Sequence, residues 1–117
     1  MTIQEIALDP EALYQIQFFN ATVGGVTRRL RLEVRHLTYT DKWYLSVINA
    51  QTGESYCRYI PLVASDLDVE LNDLTAVYRH KDIGWFCCAP ITGNTTSEDP
   101  QENNLNEFAL FWGDGFD

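Results

Sequence analysis

The residues able to do chemistry in this chain are few and poorly grouped. His36 and His80 are its two histidines; each sits beside a basic residue near the end of an expected strand, and neither has the spacing of a metal ligand pair. Cys57 has only Arg58 as a neighbouring cation, which is thin activation for a thiolate. Cys87 and Cys88 are adjacent, so on a strand they point to opposite faces and do not meet. An odd number of cysteines with a vicinal pair is not a disulfide framework, and no C-x-x-C is present for zinc. Buried, reduced thiols in a cytoplasmically made protein are therefore expected. Asp66, Asp68, Glu70 and Asp73 put four acids in eight residues. A glycosidase needs a defined carboxylate separation, and a calcium loop needs a central glycine and a closing glutamate. The run has neither signature and reads as a solvated loop. No GxGxxG, P-loop or GxSxG motif occurs. Asn20-Ala-Thr and Asn94-Thr-Thr match the glycosylation sequon without a secretory context to use it. Trp43, Tyr44, Trp85 and Trp112 have the rings that stack on sugars, although core packing is the commoner use. No catalytic residue, metal site or cofactor is expected, and the chain reads as a non-enzyme.

Charge narrows the partners. The net charge is −9, all eight Lys and Arg lie between Arg28 and Lys81, and Asp82 to Asp117 holds seven acids and no base. That balance repels nucleic acid and anionic membrane surfaces. No run approaches the length of a membrane span, and MTIQEIALDPE lacks the basic start of a signal peptide. With 117 residues and 45% hydrophobic content, the expectation is one domain, 1–117, with a single core.

The elements around these residues read as short strands. Arg28 to Gly53 is the best-patterned stretch. Leu30, Leu32 and Val34 alternate with Arg29, Arg31, Glu33 and Arg35, the period of a half-buried antiparallel strand. After a polar connection at Tyr39–Lys42, Trp43, Leu45 and Val47 share one face and Tyr44, Ser46 and Ile48 the other. Before this hairpin, Tyr14–Phe19 alternates around an expected Ile16/Phe18 inner face, and Gly24-Gly25 supplies a tight turn. After it come a turn at Asn49–Gly53 and a strand over Ser55–Ile60 stopped by Pro61. Residues 61–73 fit either a short helical segment or irregular backbone with a short strand at Val69. Thr75–Tyr78 is strand-like, Arg79–Asp82 a charged turn, and Gly84–Ala89 an apolar strand covered on both faces. Residues 92–106 are polar and acidic, too poor in apolar groups to offset ordering, and read as a mobile loop. Phe108–Trp112 is the last strand. The expected fold is all-β, a small antiparallel sandwich or barrel with at most one short helical segment.

This ordered pattern resembles the baseplate plug proteins of contractile-tailed phages, including cyanophages. The residues carrying the resemblance are Leu30-Arg31-Leu32, Trp43-Tyr44-Leu45-Ser46-Val47, the Asn49–Gly53 turn, Ile60-Pro61-Leu62-Val63, Asp66-Leu67, Tyr78, Gly84-Trp85-Phe86 and Phe108-Ala109-Leu110-Phe111. They span roughly residues 14 to 112. The resemblance implies a non-enzymatic structural subunit of the virion, made in the host cytoplasm and placed in the central baseplate where the tail tube meets the hub. Its implied partners are hub, tube and spike proteins and copies of itself. From charge, Arg29, Arg31 and Arg35 form a candidate contact for an acidic partner surface. A carbohydrate-binding β-sandwich is the alternative reading.

Overall fold

The computed structural model describes residues 3–9, 11–63, 73–75, 83–90, 105 and 108–114. Among the described residues, seven strands form two antiparallel sheets: β1 (Ile3–Ile6), β2 (Tyr14–Val23), β3 (Val26–Leu37), β4 (Lys42–Asn49), β5 (Ser55–Pro61), β6 (Trp85–Pro90) and β7 (Phe108–Gly113). One sheet has the order β2-β3-β4-β5, the other β1-β7-β6. They pack as a sandwich, not a closed barrel. Among the described residues there is no α-helix. Residues 64–72, which hold the helix-or-strand alternative, lie outside the described set. So do the 76–78 part of the expected strand and the charged turn 79–82.

The hairpin of β3 and β4 supplies the centre of the core. Leu30, Leu32, Val34, Trp43, Leu45 and Val47 are all fully buried, as their alternation requires. From the other sheet come Phe86, Cys88, Leu110 and Trp112. Phe19 joins the layers, with ring centroids 6.2 Å from Phe86 and 5.5 Å from Trp112 in edge-on geometry. Both faces of β6 are buried, including Trp85 and Cys87 on the side away from Phe86 and Cys88. Leu105, inside the stretch read as a mobile loop, is buried in this core.

The facing of β2 is the reverse of the sequence expectation. Ile16 and Phe18 are half-exposed, while Gln15, Phe19 and Ala21 are buried. The cause is register. Gly24 and Gly25 take φ of +60° and +80°, the left-handed pair of a two-residue hairpin turn. The turn therefore pairs Val23 with Val26, and so Phe19 with Leu30, Gln17 with Leu32 and Gln15 with Val34. Cross-strand partners point to the same side, so the buried face of β3 draws the odd-numbered residues of β2 inward. The inward glutamines are satisfied at the sandwich edge. Gln15 accepts from the Asp9 N–H at 2.9 Å and donates to the Asp9 carbonyl at 2.8 Å, and Gln17 donates to the Ala7 carbonyl. The two side chains thereby fasten the β1–β2 connection.

Candidate functional site

Of the residues singled out for chemistry, His36, Cys57, Cys87, Cys88 and Asp73 are buried. The His36 side chain is buried; its Nε2 lies 2.8 Å from Asp41 Oδ1 and its ring 5.3 Å from that of Trp43. It braces the β3–β4 turn, where Asp41 takes a φ of +51°. The thiols of Cys57 and Cys87 are both pushed up to about 11 by burial, which removes nucleophilic thiolate at neutral pH. Asp73 is buried and accepts from the Thr75 N–H at 2.9 Å, the Thr75 hydroxyl at 3.0 Å and the Phe86 N–H at 3.4 Å. It caps a turn against β6. His80, Asp66, Asp68, Glu70 and Asn94 lie outside the described residues. Among the described residues, no three of His, Cys, Asp and Glu are grouped to hold a metal ion. Trp43, Trp85 and Trp112 are buried, which leaves Tyr44 as the accessible ring of the four named as sugar stackers.

The chemistry-bearing surface is the outward face of the four-stranded sheet. Arg29, Arg31 and Arg35 all point there, opposite the Leu30/Leu32/Val34 core face; Arg29 and Arg35 are exposed and Arg31 half-buried. Because β2 is turned over, its exposed Tyr14, Ile16 and Phe18 lie beside them. Tyr14 pairs with Arg35, Ile16 with Glu33 and Phe18 with Arg31. The Arg35 guanidinium sits over the Tyr14 ring, 5.0 Å from Cζ to centroid, and Arg29 over Phe18 at 5.4 Å. Such contacts fix a guanidinium's position without neutralising it. Arg31 is 3.5 Å from Glu33 Oε1, and the same oxygen accepts from the Tyr14 hydroxyl at 3.2 Å. Thus Arg31 is partly compensated by a carboxylate, while Arg29 bonds the neutral Asn20 at 3.3 Å. The result is a mixed aromatic and cationic strip, the composition favoured at protein contacts.

Beside the strip is a shallow cleft of about 70 Å³ lined by Tyr14, Glu33, Arg35, Tyr44, Ser46 and Tyr59. Tyr59 takes a φ of +54°, rare for a bulky residue. It sits where the β4–β5 pairing shifts register, and its N–H donates to Ser46 Oγ at 3.0 Å. The bulge re-aims Tyr59 onto the outward face. Sequence reasoning missed Tyr14 and Tyr59 as members of this surface. The turn-defined parity of β2 was the available signal for Tyr14, and none marked the bulge at Tyr59.

No family model matches the chain, and no curated protein matches it.

Proposed function

We propose that the chain is a structural, non-enzymatic subunit of a phage contractile-tail baseplate, in the central plug region between tail tube and hub. The reading starts from the spaced pattern that runs from Leu30 to Phe111. The observation that carries it is the outward strip in which Arg29, Arg31 and Arg35 of β3 lie beside exposed Tyr14, Ile16 and Phe18 of β2. This strip suits a partner surface that is acidic with apolar patches. Replacing Arg29, Arg31 and Arg35 together with Glu tests it, using co-expressed hub, tube and spike proteins. The variant keeps its fold by circular dichroism and loses co-purification with the hub complex. Absence of any association by the unaltered chain, or association untouched by the triple reversal, overturns the reading.

A second reading is favoured by the tyrosine cleft. Glu33 on its lining disfavours an anion and Arg35 disfavours a cation, while the guanidinium donates hydrogen bonds, the carboxylate accepts them and the tyrosine and serine hydroxyls do both. A neutral sugar hydroxyl edge fits that mixture. Saturation-transfer NMR with methyl glycosides tests it: signals abolished by Tyr59→Ala support sugar binding, and their absence removes it.

A further inference from the structure

A sheet edge that presents unpaired backbone groups invites another strand, and proteins blunt such edges with charge, proline, bulges, short length or a covering segment. Among the described residues, three of the four sheet edges carry such devices. β1 has four residues and contains Glu5. The outer side of β6 is occupied by residues 73–75: the Leu74 N–H donates to the Phe86 carbonyl at 2.8 Å, and Asp73 accepts from the Phe86 N–H. β5 carries Arg58, ends at Pro61, and is distorted by the register shifts and positive φ around Tyr59.

Among the described residues, β2 has none of these protections: residues 7–9 are held to its inward Gln15 and Gln17 side chains and not to its backbone edge. It is ten residues long, its sequence YQIQFFNATV contains no charge and no proline, and its pairing with β3 is regular throughout. Among the described residues it has no strand on its outer side. Its outward side chains remain open: Tyr14 is 47% exposed, Ile16 44% and Phe18 52%. Arg35 and Arg29 cover the Tyr14 and Phe18 rings from the β3 side, so the basic row lies one strand back from the edge.

We propose that β2 is a self-association edge, pairing antiparallel with β2 of a second copy across a two-fold axis perpendicular to the sheet. The occupant follows from the edges themselves. A head-to-tail contact would set β2 against β5, whose arginine, proline and bulge disrupt a ladder. A β2–β2 contact brings together two uncharged strands, so the net charge of −9 is not focused at the junction. Such an isologous contact joins the two four-stranded sheets into one of eight strands with both outward faces on the same side. Tyr14, Ile16 and Phe18 of one copy then become cross-strand neighbours of the same residues of the other, the aromatic and β-branched pairing that stabilises sheets. The inference rests on the strand edges and holds whether or not the baseplate reading does.

Light scattering coupled to gel filtration, over a wide concentration range, reads the outcome on the isolated full chain. A concentration-dependent dimer is expected, and Ile16→Lys and Phe18→Lys each convert it to monomer by adding a lysine from each copy to an apolar strip that the arginine rows already flank. Both positions are half-exposed, so circular dichroism remains that of the folded chain; Tyr39→Lys, in the β3–β4 turn, leaves the dimer intact. As a measurement free of variants, amide exchange across Gln15–Ala21 slows as concentration rises. A monomer at every concentration, or a dimer indifferent to both lysines, overturns the proposal. A monomer that takes up an extended segment of another protein at β2 overturns self-association as well, and assigns the edge to that partner. A dimer that fails to join hub and tube proteins leaves the β2 contact standing and removes the baseplate reading instead.

Discussion

The guanidinium of Arg29 lies over the ring of Phe18, 5.4 Å from Cζ to the ring centroid, although Phe18 is the more hydrophobic residue and stands on the solvent face. Its chain neighbour Phe19 is buried against Phe86 and Trp112. The two phenylalanines should therefore respond differently to truncation. Phe19→Ala removes a ring that joins both sheets and is expected to cost about 3–5 kcal/mol. Phe18→Ala gives up only a half-exposed ring and a cation–π contact, about 1 kcal/mol or less in the isolated chain. Urea unfolding of both variants checks the order; equal losses would mean that β2 faces the other way.

Much of this was legible in the sequence, and the part that was not has a physical reason. The β3–β4 core face followed from alternation because each row was chemically pure: Leu30, Leu32 and Val34 against arginines and a glutamate. In β2 the row Tyr14/Ile16/Phe18 is the more apolar and Gln15/Gln17/Phe19 the mixed one, so hydrophobicity alone favours the wrong face. Combining the two-residue Gly24-Gly25 turn with the known inner face of β3 would have fixed the parity, since Val23 opposite Val26 places Ile16 opposite Glu33. The tyrosine cleft depends on a bulge, and a bulge breaks the periodicity from which strands are read. Pairing of β1 with β7 joins residues about a hundred positions apart, beyond the reach of local pattern.

Two glycines allow the indoles of the β6–β7 pair to lie on backbone. A Cβ on Gly84 would meet Trp112 Nε1 at 2.6 Å and press into the Gly113 carbonyl, and one on Gly113 would fall inside the Trp85 ring. Gly84 also takes a φ of +82°. Trp112 cannot easily retreat, since its Nε1 donates to the Ile83 carbonyl at 2.7 Å. Gly84→Ala is expected to cost about 3 kcal/mol from the sum of backbone strain and overpacking. Gly113→Ala should cost about 1–3 kcal/mol from overpacking alone. At Gly24, where φ is +60° and a Cβ meets nothing, Asn should be tolerated within about 0.5 kcal/mol. Thermal unfolding of the three variants measures this contrast.

Asp73 offers a test of the segment that covers the β6 edge. Its carboxylate accepts from Thr75 and Phe86 in a buried setting. Asp73→Ala leaves those donors without this acceptor, and the expected loss is about 2 kcal/mol. Asp73→Asn retains an acceptor oxygen and should lose less. Hydrogen exchange at the Phe86 amide should quicken in the alanine variant; an unchanged rate would show that Asp73 does not hold this segment against β6.

The buried thiols give the fold an alkaline limit. Cys57 and Cys87 rise from an ordinary 9.0 to about 11, chiefly because burial penalises the thiolate. A folded value above the unfolded one means that the neutral thiol is the form the fold favours. Their contribution to stability is fully present below pH 9 and declines as the pH climbs toward 11, because the unfolded chain releases these protons first. Chemical-denaturation midpoints should therefore drop across pH 9 to 11, and the drop should shrink in a Cys57→Ala, Cys87→Ala variant compared at the same pH values. In the same buffers at pH 8, a thiol reagent should label none of the three buried cysteines, Cys57, Cys87 and Cys88, in the folded chain and all three after denaturation. Rapid labelling of the native protein at that pH would place at least one of these thiols at an accessible, reactive site.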